Sequence, residues 1–175
     1  MNIMERFWNI IHYFAYRADC RFKYYLYKYT GIFKLYNCPW TRKRFEKRGI
    51  KDPIAYLTDD IESYTFMIAY KLIIGLPIML LFGLHNFYFL VFFANEVPTF
   101  EAYVYPIVVY CIISFVINDY VLFRKDKYLK YFKVFSKMPH QWRVKWAWIS
   151  FGVILFPYLV LGLSFVAMWY NGKSR

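Results

Sequence analysis

Leu72 to Ala94 reads LIIGLPIMLLFGLHNFYFLVFFA, a run without one charged residue. A helix advances about 1.5 Å per residue, so a bilayer core of about 30 Å needs about 20 apolar residues. This stretch supplies them, and two others do the same. Ala102 to Phe123, AYVYPIVVYCIISFVINDYVLF, carries only Asp119 near its end, and Trp146 to Tyr170, WAWISFGVILFPYLVLGLSFVAMWY, carries no charge. A long helix in a water-soluble core would show a polar stripe, and none reads in these three. The sequence therefore predicts an all-α integral membrane protein with three transmembrane helices, over 72–94, 102–123 and 146–170. Splitting the first span at His85-Asn86 would give a re-entrant hairpin whose second arm, Phe87 to Ala94, is too short to cross alone.

Composition points the same way. Of 175 residues 60% are hydrophobic, 25% are aromatic and 19% are charged. One domain of that size cannot hide so much apolar surface from water, and the aromatic content excludes disorder.

Charge sets the expected orientation. Of the 23 Lys+Arg, 21 fall in residues 1–71 or 124–145, whereas the 95–101 loop, NEVPTFE, holds only acids. By the positive-inside rule the N-terminus and the 124–145 loop face the cytoplasm, and the 95–101 loop and C-terminus face outward. Trp142, Trp146 and Trp148 then mark the inner end of the third span, and Trp169-Tyr170 its outer end. No signal peptide reads at the start, so the first span would act as an uncleaved targeting signal. Residues 1–63 form a basic interfacial region, and residues 64–175 the three-helix domain with its basic inner loop.

The interfacial region opens with a helical pattern. Ile3, Met4, Phe7, Trp8, Ile10, Ile11, Phe14, Ala15, Ala18, Phe22, Tyr25, Leu26 and Tyr29 share one sector of a wheel over residues 2–29. Glu5, Arg6, Asn9, His12, Arg17, Asp19 and Lys23 lie opposite, and Gly31 is a natural stop. This is the pattern of an amphipathic helix lying in the membrane plane or packing its apolar face on protein. Arg42, Lys43, Arg44, Lys47, Arg48 and Lys51 follow as a cluster suited to topology or to anionic lipid; beside a membrane and without a nucleic-acid motif, it does not suggest nucleic acid. In the inner loop Lys127, Lys130, Lys133 and Lys137 form one stripe and Tyr128, Leu129, Tyr131, Phe132 and Phe135 another, a second amphipathic helix that Pro139 closes. Asp52-Pro53 reads as a helix start, and Asp59, Asp60 and Glu62 as acids favoured at a helix N-terminus.

Polar groups within spans are the functional candidates: Lys71, His85, Asn86, Asn118 and Asp119. Lys71 suits the interface, His85 a bond across helices, and Asp119 a pairing with Arg124 or Lys71. Pro77, Pro106 and Pro157 put one proline in each span, and Gly75, Gly83, Gly152, Gly162 and Ser164 allow close helix approach. Cys20, Cys38 and Cys111 have no metal-ligand spacing, and no nucleophile elbow or phosphate loop is present, so neither catalytic residues, metal nor cofactor is expected.

The resulting expectation is a non-catalytic accessory or structural subunit of a membrane complex, as a homo-oligomer or with other subunits, its helices touching anionic lipid. Its place would be a bacterial cytoplasmic membrane, or else an organelle inner membrane. Two other functions compete. One is a small channel, holin-like pore or ion-translocating subunit using His85, Asn86 and Asp119. The other is a lipid-active enzyme built on Asp59, Asp60 and Glu62.

Overall fold

The computed structural model describes residues 3–36, 38–54, 56, 64–93 and 99–173. The described residues are helical throughout their ordered elements, without a strand. The chain order is α1 (Ile3–Tyr29), α2 (Ile32–Tyr36), α3 (Pro39–Glu46), α4 (Tyr64–Phe92) and α5 (Phe100–Asn118). A π-turn (Asp119–Phe123) and a 3₁₀ turn (Arg124–Asp126) follow, then α6 (Lys127–Phe135) and α7 (His140–Lys173).

Three helical runs are long and apolar enough to cross a membrane: Ala69–Phe92, Phe100–Phe135 and His140–Asn171. Each extends the corresponding sequence span at one or both ends. α4 continues unbroken through His85 and Asn86, so the hairpin alternative falls away. Pro77, Pro106 and Pro157 all sit inside helices. The Asn95–Glu101 connection and the Asp59, Asp60 and Glu62 acids lie wholly or largely outside the described residues.

The chain forms two compact units, Met1–Tyr13 with Leu72–Arg175, and Phe14–Lys71. In the second, α1 ends where Gly31 takes a left-handed φ of +74°, a conformation that costs a side-chain-bearing residue about 1 kcal/mol. Phe33 of α2 packs against the rings of Tyr24 and Tyr27, and Phe45 of α3 against Tyr36 and Tyr56. α3 closes in a Schellman motif: Ile50 N–H donates to the Phe45 carbonyl and Gly49 N–H to Glu46, with Gly49 at φ +76°. Asp52 then caps the next turn, its Oδ1 accepting the Ile54 N–H at 2.9 Å.

The first unit mixes polar with apolar residues inside and leaves large apolar ones outside. Asn9, His12, Asn86, Ser114, Asn118, Ser150 and Ser164 are buried beside Ile10, Ile11, Ile73, Leu76, Leu122, Phe132 and Phe135. Meanwhile Tyr105, Val108, Val109, Ile112, Phe115 and Val116 of α5, and Phe151, Phe156, Leu163 and Val166 of α7, are exposed. On α5 only Ser114 and Asn118 are buried. Large apolar residues outside, with small polar ones admitted to the interior, is the distribution expected where the surroundings are hydrocarbon and packing depends on close approach and hydrogen bonds. The fold is thus compatible with a membrane protein.

Candidate functional site

One group of polar side chains in the first unit meets where α5 changes its winding. Arg124 N–H reaches back five residues to the Asp119 carbonyl, and Lys125 and Asp126 then take left-handed φ values of 62° and 53°. A helix that stops this way leaves carbonyls without backbone donors. Two carbonyls of this turn accept from side chains: Val121 from Asn9 Nδ2 at 3.1 Å, and Tyr120 from Lys127 Nζ at 3.2 Å. Lys127 also stands 4.9 Å from the Tyr120 ring centroid.

α1 supplies the rest of this seam. Glu5 Oε2 accepts from Lys127 at 2.8 Å, and its Oε1 from the Tyr131 hydroxyl at 3.1 Å. The Lys127 ammonium, first among the causes, draws the Glu5 carboxyl below its ordinary acidity range. Three residues on, the Trp8 indole donates to Asn118 Oδ1 at 2.9 Å. Asn118 Nδ2 passes the chain to the Ser114 carbonyl and hydroxyl, and Ser114 Oγ donates to the Ile74 carbonyl at 2.6 Å. His12 ends the seam, buried against the rings of Phe123, Tyr128 and Phe132. That burial disfavours its cation and pushes its pKa down to about 3.

These contacts correct two readings of the sequence. The wheel sets Asn9, His12 and Lys23 opposite the apolar sector of α1, yet all three are buried, while Ile3, Met4, Phe22, Tyr25, Leu26 and Tyr29 are exposed. Asn9 is stabilised by its bonds to the Glu5 and Val121 carbonyls, and Lys23 by Asp19 at 3.0 Å, so polarity finds partners inside. Nor is α5 free of a polar stripe: Tyr110, Ser114 and Asn118 recur at four-residue spacing, which puts them on one face.

The remaining candidates occupy separate places. His85 Nδ1 lies 3.3 Å from the Tyr110 hydroxyl, among the rings of Phe89 and Tyr103, and Asn86 Nδ2 donates to Ser164 Oγ at 3.0 Å. His85 Nε2 and Asn86 Oδ1 are buried with no hydrogen-bond partner among the described residues. Both side chains thus bond across helices. Gly83, two residues earlier, explains how the backbones come so near: a Cβ there would lie 3.0 Å from the Leu161 nitrogen.

Asp119 is exposed and Arg124 stands over the Tyr120 ring in place of pairing with it. Along α5 the His85 partner Tyr110 and Asp119 are separated by about 13 Å of helix rise, so the structure does not bring His85 and Asp119 together. Lys71 is exposed, as are Arg42, Lys43, Arg44, Lys47, Arg48, Lys51, Lys130, Lys133 and Lys137. Among the described residues no three His, Cys, Asp or Glu side chains converge as a metal site would require.

Glu5, Trp8, Asn9, Tyr110, Ser114 and Ser164 escaped the sequence reading as site residues. The four-residue spacing on α5 was a usable signal for Tyr110 and Ser114; nothing in the linear sequence pairs Trp8 with Asn118. No family model, curated protein or solved structure matches this chain.

Proposed function

We propose that this chain is a non-catalytic integral membrane protein of a bacterial cytoplasmic membrane, acting as an accessory or structural subunit. Its N-terminus and basic loop face the cytoplasm, and α1 and α6 are amphipathic helices in contact with anionic lipid. The observation that carries this reading is the distribution of side chains: large apolar faces of α5 and α7 lie outside, while amides and hydroxyls share the interior with apolar residues. α5 adds to it, because a helix of which only Ser114 and Asn118 are buried needs lipid or other subunits around its apolar residues. His85 and Asn86 each bond to a neighbouring helix while Asp119 is exposed and apart from them, which favours an architectural role over a channel relay through His85 and Asp119.

Gentle solubilisation, native mass spectrometry and identification of co-purifying proteins test the subunit role. A homo-oligomer or a stable partner is the expected result; a lone monomer with enzymatic activity would overturn it. Cysteines introduced at Thr99 and Asn171 test orientation, with labelling expected from outside the cell alone.

A further inference from the structure

The short helix α3 carries a face that topology does not require. Phe45 turns inward onto the rings of Tyr36 and Tyr56. Trp40, Lys43, Arg44 and Lys47 recur at i, i+3, i+4 and i+7, which puts them on one side of the helix, and all four are exposed. Trp40 itself is 71% exposed, a large cost in water for an indole whose apolar body gains from burial. The Arg44 guanidinium lies 6.0 Å from the Trp40 ring centroid. The acid of this helix, Glu46, is taken by Arg42 at 3.3 Å and stands off the face. What remains is one indole flanked by three cations.

We infer that this face is a recognition surface for the headgroups of anionic phospholipid. An indole is the side chain best suited to the boundary between headgroups and acyl chains, where its ring is buried and its N–H stays in a polar layer. Lys43 and Lys47 supply charge complementary to a negative leaflet, and Arg44, steadied on the ring, offers a planar fork to a phosphodiester. One such anchor is weak alone, and stable attachment takes two signals. Here the second is covalent: the chain runs on from α3 into α4, so the face is held at high effective concentration near a bilayer. The inference rests on the membrane reading above and narrows it to a defined face, a defined anchor and a defined lipid charge.

Fluorescence of the full-length protein in proteoliposomes tests it. Trp40 emission is isolated as the difference between the wild type and Trp40→Phe, in vesicles of brominated phosphatidylcholine with and without brominated phosphatidylglycerol. With the anionic lipid, Trp40 emission should shift to the blue and lose at least half its intensity. The triple variant Lys43→Gln, Arg44→Gln, Lys47→Gln, or high salt on the wild type, should undo this; each cation removed weakens the contact by about fivefold. Trp40 emission that stays water-like in both vesicle types, or is quenched equally in neutral and anionic ones, would overturn the inference. Of the five other tryptophans, read in Trp40→Phe, four lie on α7 and report that span separately, and Trp8 reports α1. If they too escape quenching, the membrane reading itself has failed, and if only Trp40 does, the lipid face alone has.

Discussion

The bond from Trp8 to Asn118 makes a quantitative test of how α1 is held. Trp8→Phe keeps the ring body and removes the donor; Asn118→Ala removes the acceptor together with the two bonds from Nδ2 to Ser114. A net contribution of about 0.5–1.5 kcal/mol per bond puts Trp8→Phe near 1 kcal/mol and Asn118→Ala at about 2–3 kcal/mol. The informative number is their coupling, which the double mutant isolates from cavity and propensity effects. Hydrogen bonds between helices in membranes couple by about 0.6 kcal/mol on average and about 1.7 kcal/mol at most, and a 2.9 Å bond to a fully buried amide belongs in the upper half of that range. The assay is reversible unfolding of the full chain in mixed micelles of rising sodium dodecyl sulfate fraction, followed by circular dichroism. Trp8→Phe with Asn86→Ala is the control cycle and should be additive within about 0.5 kcal/mol, since Asn86 bonds to Ser164. A coupling of zero between Trp8 and Asn118 would refute the claim that this bond fastens α1.

Other expectations follow from single features. His12 is neutral in the fold down to about pH 3, whereas an unfolded histidine takes up its proton near pH 6.5. Stability is therefore full above pH 6.5 and lost as pH falls toward 3, by up to ~5 kcal/mol, and His12→Phe should flatten that part of an acid-unfolding curve; an unchanged curve would refute it. Gly83→Ala should destabilise by about 1–3 kcal/mol, because its Cβ meets the Leu161 backbone at 3.0 Å. Gly152→Ala, with nothing within 4 Å, should be neutral or stabilising, and equal effects at the two glycines would contradict the crossing described for Gly83. Lys125→Gly should raise stability by about 1 kcal/mol by relieving a left-handed φ of 62°, measured by the same unfolding titration.

The three long helices were legible because hydrocarbon imposes a length and a polarity that a linear count detects. The stop at Gly31 and the cap at Asp52 were legible as local chemistry. What the sequence hid was direction. A wheel shows that α1 has two faces but not what each meets: Ile10, Ile11 and Ala15 of the apolar sector are buried, and so are Asn9, His12 and Lys23 opposite them. The π-turn was equally hidden, since Asp119–Phe123 differs little from a helical sequence and its geometry depends on donors from Asn9 and Lys127, which are remote or downstream in the chain. His85 was read as bonding across helices and Asn86 only as a polar candidate within the span, but Tyr110 and Ser164 could not be chosen from many hydroxyls in the spans.

α7 has 34 residues, and at about 1.5 Å each it is about 51 Å long, well beyond the ~30 Å of an average hydrocarbon layer. Its uncharged stretch from Trp146 to Tyr170 alone exceeds that thickness by several ångströms. In the proposed setting such a helix meets a thin bilayer by leaning and a thick one by standing up. The protein would then favour thicker regions of a membrane. Polarised infrared spectra of oriented bilayers should show average helix tilt falling as acyl chains lengthen; a tilt independent of chain length would rule out this sensitivity to thickness.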